Sequence, residues 1–327
     1  MRVLVTGGAG FIGSHCCKAL AEAGHEVAAY DNLSTGHAEF LKWGDFVHGD
    51  VRDQQKLRAA LRRFKPDAVM HFASFIEVGE SVRDPGKYYR NNGEGALSLL
   101  EAMRDEGIHN LVASSTAAVY GAAQAELISE ATPQWPINPY GWSKFHMERM
   151  LEDFHAAHGL NWTALRYFNA AGASSKGEIG ELHSPETHLI PRIILAALGM
   201  APEVGIFGTD YPTPDGTCVR DYIHVEDLAS AHILACERLL DGGSSGAMNL
   251  GGGVGASVRE VVEATRKVAG RDFPVKEEGR RPGDPARLVA DAGLARSELG
   301  WKPEKDLDSM VRDAWNFLSK RQGGRAV

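Results

Sequence analysis

The stretch Val3-Leu4-Val5-Thr6-Gly7-Gly8-Ala9-Gly10-Phe11-Ile12-Gly13 constrains the fold more than any other part of the chain. A short β-branched, apolar run passes through spaced glycines into a helical pattern that extends from Ser14 to Ala23. Gly7 permits a tight turn, Gly10 lets the backbone approach a pyrophosphate, and Gly13 lets helix and strand pack closely. The N-terminus of that helix supplies partial positive charge. A strand-to-helix turn without a ligand is the plainer reading, and the sequence that follows argues against it.

A second strand, Glu26-Val27-Ala28-Ala29-Tyr30, ends in Asp31-Asn32. It places a carboxylate about twenty residues beyond the glycines, where it can accept hydrogen bonds from an adenosine ribose. That charge would repel a 2′-phosphate, so NAD is favoured over NADP. Asp50-Val51 closes a further strand, 45–49, and can flank the adenine. After a helix over 54–64, residues 66–73 form the next buried strand and its exit. Strands alternating with helices at this rhythm predict right-handed parallel crossovers and an α/β, doubly wound sheet. Residues 1–169 form the expected dinucleotide-binding domain, with a segment near 218–240 returning to it. From about residue 170 the alternation gives way to Gly-, Pro- and Ser-rich loops, the composition of binding segments on a scaffold, so 170–327 is expected to hold mainly a second ligand.

With 327 residues and 43% hydrophobic content the chain can bury a sizeable core. Thirty-five basic against 43 acidic residues give a net charge of −8, which argues against a nucleic-acid partner but not against a small phosphate ligand held by local arginines. The first residues run directly into folded-looking sequence, without a targeting leader or a membrane span. Four cysteines, with Cys16 and Cys17 adjacent, match neither a disulfide framework nor a zinc site. Reduced thiols and a cytoplasmic location are expected.

Chemistry concentrates at Pro139-Tyr140-Gly141-Trp142-Ser143-Lys144, the start of a predicted helix. Tyr140 and Lys144 share a helix face at i and i+4. A Lys⁺ near a phenol favours the phenolate, lowering a pKa that is ordinarily about 10. A solvated helical face has the same spacing, so the pair gains meaning only if a cofactor and a pocket converge on it. Trp142 lies on another face and is assigned to packing. Ser114-Ser115-Thr116 follows the apolar run Leu111-Val112-Ala113, placing hydroxyls at the carboxyl end of a sheet strand, where open α/β sheets bind ligands. Glu178, Glu181, His183, Glu186 and His188 cluster along the chain, but their spacings match no helical ligand motif such as His-x-x-x-His. No metal is expected.

In order along the chain, the glycine pattern, Asp31-Asn32, His71-Phe72-Ala73, Val78-Gly79-Glu80-Ser81, Asn91-Asn92, Ser114-Ser115-Thr116 with Val119-Tyr120-Gly121, and Tyr140-x-x-x-Lys144 resemble the extended short-chain dehydrogenases/reductases. Arg166-Tyr167-Phe168-Asn169-Ala170-Ala171-Gly172-Ala173 and Val219-Arg220-Asp221-Tyr222-Ile223-His224-Val225 are similar to the UDP-glucose 4-epimerase family within that group. The match is colinear from residue 2 to about residue 317.

This resemblance implies an NAD-dependent inversion at C4 of a UDP-hexose through a transient 4-keto sugar. Tyr140 is the implied base, Thr116 the bridging hydroxyl, and Lys144 the group that lowers the tyrosine pKa and holds the nicotinamide ribose. Relatives that eliminate water carry an Asp-Glu pair where this chain has Ala117 and Ala118, and methyl groups cannot transfer protons. The implied NAD site comprises Gly7, Gly10, Phe11, Ile12, Gly13, Asp31, Asn32, Asp50, Val51, Phe72, Ala73, Ser74, Asn91 and Phe168 besides Thr116, Tyr140 and Lys144. Ile76 stands where some relatives place a Lys near the cofactor. For the sugar nucleotide, Thr116 and Tyr140 are joined by Asn169, by His188 and Leu189 as a wall, and by Gly205-Ile206-Phe207 passing over the uracil. Arg220 and Arg281 clamp the diphosphate, with Tyr222, Asp284 and Leu288 completing the site. Leu288 stands where relatives confined to unacetylated sugars carry Tyr, which leaves activity on UDP-N-acetylglucosamine open. The resemblance further implies a homodimer through a four-helix interface over 92–103 and 143–155. The weighed alternatives are a UDP-N-acetylhexosamine or UDP-pentose 4-epimerase, a net oxidoreductase releasing NADH, and an NAD-binding regulatory protein without catalysis.

Overall fold

The central element is a sheet of seven parallel strands, which a computed structural model places in the order Gly246–Leu250, Asn161–Tyr167, Asn110–Thr116, Ala68–His71, Arg2–Thr6, Glu26–Asp31, Asp45–His48. The structure describes residues 1–123, 125–281 and 284–323. Val3, Leu4 and Val5 are fully buried, as expected of a parallel strand covered on both faces. From Arg2–Thr6 the chain builds outward through Glu26–Asp31 to Asp45–His48, then returns to the other side as Ala68–His71. This reversal opens a crevice at the carboxyl end of the first strand, the position where doubly wound sheets bind ligands.

Two apolar layers cover the sheet. On one face helices Phe11–Glu22 and Val225–Leu240 contribute Cys16, Leu20, Leu228 and Cys236 to a core with Val3, Val5 and Met70. On the other, Gln54–Phe64, Gly95–Asp105 and Pro139–His158 pack Leu57, Leu99, Met147 and Leu151 against Leu4, Val69 and Leu111. All four cysteines are free and buried. Helix Val225–Leu240 and strand Gly246–Leu250 are thus built into the first layers although they follow residue 170.

The remaining segments form short strand pairs around a third core. Ile190, Ile193 and Ile194 of helix Leu189–Ala197 meet Val261 and Val262 of Val258–Ala269 and Met310 and Val311 of Leu307–Gly323. Asp221, fully buried, ties this half to the sheet: its carboxylate accepts from Gly252 N (2.7 Å), Gly253 N (3.0 Å) and Ala290 N (3.0 Å). Among the described residues no helix is long and apolar enough to cross a membrane.

Candidate active site

A cleft of about 1270 Å³ runs from the first strand–helix turn to the loops of the second half. Its volume exceeds the roughly 300–1,000 Å³ of a single small-ligand pocket, so it has room for two ligands end to end. At one end Gly7 adopts a φ of 75° and donates its N–H to Tyr30 O at 2.8 Å. A Cβ there would lie 2.6 Å from Ala73 N, and one on Gly13 would lie 2.2 Å from Gly7 O. Gly10 caps the helix without a side chain, leaving the first-turn amides of Phe11–Glu22 facing the cleft. The Asp31 carboxylate accepts from Ala9 N at 2.9 Å and Leu33 N at 2.7 Å. A carboxylate has about four lone-pair sites, so capacity remains for ribose hydroxyls.

Phe11, Ile12, Asn32, Val51, Phe72, Ala73, Ser74, Asn91 and Phe168 line this end, as does Ile76. Asp50 does not. Its carboxylate is engaged by Arg52 Nε and Nη2 (2.8 and 2.6 Å) and Asn32 Nδ2 (3.0 Å), and Arg52 holds it well below the usual carboxylate range. Both of its oxygens are thus already engaged within the protein.

Tyr140 and Thr116 meet midway along the cleft. Asn138 Oδ1 accepts from Gly141 N at 2.8 Å and Pro139 fills the first turn, so Pro139–His158 starts where an Asn-Pro cap directs. A Cβ on Gly141 would lie 2.7 Å from Ala118 O, which shows how closely the helix start abuts the turn after Thr116. Burial pushes the Tyr140 phenol up to about 12, opposed by a hydrogen bond with Thr116.

Lys144 departs from expectation. Its ammonium is buried and donates to Ser74 Oγ at 2.7 Å and Ser114 O at 2.8 Å; burial pulls it down to about 7, opposed by Glu148. Burial is the largest influence on the Tyr140 phenol, and it acts against the lowering that the i, i+4 spacing suggested. Below Lys144, Glu148 receives Ser115 Oγ (2.5 Å) and a bidentate Arg166, which also donates to Tyr120 OH at 2.8 Å. Ala117 and Ala118 line the cleft. Trp142 packs edge-on to Trp135 and Phe145 at 5.7 and 5.6 Å between ring centroids.

The far end brings together Asn169, His188, Leu189, Arg220, Tyr222, Arg281, Asp284 and Leu288. Arg220 is aimed by Nη1 bonds to Val219 O (3.0 Å) and Pro285 O (2.9 Å), with Asp284 at 3.6 Å. Pro282 and Gly283, part of the arginine motif, lie outside the described residues. Gly205, Ile206 and Phe207 are not among the cleft-lining residues. Strand Val204–Phe207 pairs with Val275–Glu278, and its alternation sends Val204 and Ile206 into the core. Phe207 instead lies under the Arg281 guanidinium, 3.6 Å from ring centroid to Cζ.

Sequence reasoning missed three features. Asn138 was legible as a helix cap. The hydroxyls of Ser114 and Tyr167, paired in the cleft wall, are joined only by strand register, Ser114 standing beside Leu165 and Thr116 beside Tyr167. Glu181, His183, Glu186 and His188 are gathered to within 4.8 Å by a loop, which helical spacing rules cannot anticipate. There burial works against a charged His183, but Glu181 and Glu186 raise it to about 10.

A dinucleotide cradle, a hydroxyl–phenol pair with a buried lysine beneath it, and paired arginines on one cleft define a dinucleotide-dependent enzyme on a doubly wound fold. The chain belongs to the NAD dependent epimerase/dehydratase family, which its residues 3–251 match. It is 53% identical over 324 residues to the UDP-glucose 4-epimerase of Rhizobium meliloti (strain 1021), covering 99% of each chain. To the UDP-glucose 4-epimerase of Halalkalibacterium halodurans it is 49% identical, covering 99% of this chain and 97% of that one. Among solved structures, UDP-glucose 4-epimerase from Brucella ovis in complex with NAD superposes with a TM-score of 0.95 at 52% identity, over 97% of this chain and 98% of that chain. The Bifidobacterium longum enzyme in complex with NAD+ and UDP gives 0.93 at 39%, over 99% and 100%.

Proposed function

We infer that this chain is a UDP-glucose 4-epimerase that interconverts UDP-galactose and UDP-glucose with NAD as its cofactor. The observation that carries this is the meeting of Tyr140 and Thr116 on a cleft with the glycine cradle at one end and Arg220 and Arg281 at the other. The cradle fits NAD: any side chain at Gly7 or Gly13 would strike backbone, and Asp31 offers acceptors where a 2′-phosphate would be repelled. NAD, when bound, supplies reversible hydride acceptance at the sugar C4.

The chain's residues supply the rest. Tyr140, as phenolate, takes the proton of the 4-hydroxyl, directly or through Thr116 Oγ1, and returns one when the 4-keto sugar has turned its other face. Lys144, fixed by Ser74 and Ser114, is placed to hold the nicotinamide ribose. Arg220 and Arg281 hold the diphosphate while the sugar turns. Ala117 and Ala118 offer no acid–base group for elimination.

The same reading assigns 1–169, with helix Val225–Leu240 and strand Gly246–Leu250, to NAD and most of 170–327 to the UDP-sugar. Homodimer formation over 92–103 and 143–155 is supported by Leu97, exposed on the first of these helices, and a cytoplasmic location by four unpaired thiols. The deciding experiment is incubation of the purified protein with UDP-galactose without added NAD. UDP-glucose should accumulate without free NADH; no product with or without added NAD would refute the assignment.

A further inference from the structure

The segment 181–188 runs along the cleft rim into helix Leu189–Ala197 and turns two imidazoles and two carboxylates onto one point. Ligand atoms of Glu181, His183, Glu186 and His188 all lie within 4.8 Å of one another. His183 Nδ1 is 3.3 Å from Glu181 Oε1 and 3.6 Å from Glu186 Oε2; His188 Nδ1 is 3.8 Å from Glu186 Oε1 and in direct contact with Glu181 Oε1. Four donors held at 2.0–2.1 Å in a tetrahedron stand roughly 3.3–3.5 Å apart. Three of these separations are therefore close to those of a ligand shell and too long for good hydrogen bonds.

Two further observations point the same way. His183 Nδ1 is buried and has no hydrogen-bond partner of acceptable geometry. Both rings turn the same nitrogen, Nδ1, toward the same oxygen of Glu181, whose side chain is only 4% exposed. Two bare nitrogens cannot share that oxygen, so the arrangement needs either a proton on each ring or one cation between them. One divalent cation meets that need for both rings at once, and its charge cancels the two carboxylates. The Glu186 carboxylate is already oriented, since Oε1 accepts from Thr187 N at 2.8 Å and His188 N at 2.9 Å.

We propose that Glu181, His183, Glu186 and His188 bind one divalent transition-metal ion of the Zn²⁺ class. A mixed imidazole–carboxylate set suits zinc and its neighbours rather than Mg²⁺ or Ca²⁺, which take oxygen ligands. Four protein ligands leave no open position, which marks the site as structural and not catalytic. The ion clasps the 181–188 segment, which Thr187 Oγ1 also ties to Glu77 Oε2 at 2.7 Å across the cleft. The inference is independent of the sugar reaction.

The test is metal content of untagged full-length protein, stripped with chelator, reloaded with Zn²⁺ and gel-filtered. About one zinc per chain should be retained, and Co²⁺ in its place should give the strong visible absorption of a four-coordinate ion. Glu181→Gln and His183→Asn, checked for folding by circular dichroism, should each weaken zinc at least ~10-fold in competition with a chromophoric chelator. If a variant fails to fold, the wild-type competition and the cobalt spectrum decide. Wild-type protein that retains no zinc, cobalt with the spectrum of the aqueous ion, or equal zinc retention by both folded variants would overturn the proposal.

Discussion

At the scale of single residues, the site separates what each polar group does by what surrounds it. Tyr140 is a phenol whose burial alone makes it a weak acid, and Thr116 is the group on hand to share its proton. Tyr140→Phe should therefore keep NAD bound and lose at least ~10²-fold in UDP-galactose turnover, the lower range for a positioned acid–base group. Near-normal turnover would remove Tyr140 from the mechanism. Thr116 separates hydroxyl from shape: Thr116→Ser keeps the Oγ and should stay within several-fold of wild type, whereas the isosteric Thr116→Val should lose roughly 10²-fold. Steady-state rates for both variants check this. Residue type and spacing pointed to the Tyr140–Lys144 pair, whereas the role of Thr116 came from the family resemblance. The environment of Lys144 was legible in neither, since Ser74 and Ser114 are brought to its ammonium from other strands.

Elements hold these residues in place through a few contacts that cannot be relaxed. The strand–helix turn depends on Gly7, whose φ of 75° and lack of a Cβ are both required. Gly7→Ala should destabilise the protein by ~1–3 kcal/mol from backbone strain alone and abolish NAD retention, seen as loss of the cofactor on gel filtration. Helix Pro139–His158 is locked to strand Asn161–Tyr167 by Glu148 and Arg166, whose side chains are 2% and 5% exposed. Glu148→Gln leaves Arg166 buried without its counter-charge, and breaking a buried pair in this way costs roughly 3–5 kcal/mol. Urea unfolding would show it; a loss below about 1 kcal/mol would mean that water reaches Arg166. The helix and strand themselves were foreseeable from pattern. That their polar interior residues meet was not, because their partnership is set by packing.

Across the whole molecule, three buried histidines make stability depend on pH. Burial holds His15 and His232 down to about 4 and His71 down to about 3. In each, Nε2 is buried with no acceptor, while Nδ1 is engaged by Phe11 O (2.7 Å), Leu228 O (2.8 Å) and Thr6 Oγ1 (2.7 Å) respectively. Their folded pKa values lie below the unfolded value of about 6.5, so the unfolded chain takes up more protons as pH falls. Their contribution is whole above about 6.5 and is lost progressively toward 4 and below, at up to about 1.4 kcal/mol per pH unit for each proton. The urea midpoint should fall between pH 7 and 4.5. His232→Asn should reduce the slope by about one proton; an unchanged slope would show that His232 does not titrate on unfolding.

Family resemblance supplied Thr116 and the arginines of the far end; by themselves the residues pointed to the parallel α/β sheet, the glycine turn with Asp31 and the Tyr140–Lys144 pair. These rest on local periodicity, on glycines that only one backbone shape requires, and on residue chemistry at fixed spacing. Tertiary structure decided the rest: Asp50 is paired with Arg52 and Asn32, Ile206 is drawn into the core by strand pairing, and Lys144 is desolvated below its ordinary pKa. It also gathered Glu181, His183, Glu186 and His188, which cluster along the chain but at spacings that match no helical ligand motif. The physical reason is common to all four. Desolvation, side-chain pairing and loop convergence depend on which distant surfaces meet, and that is fixed only when the layers pack.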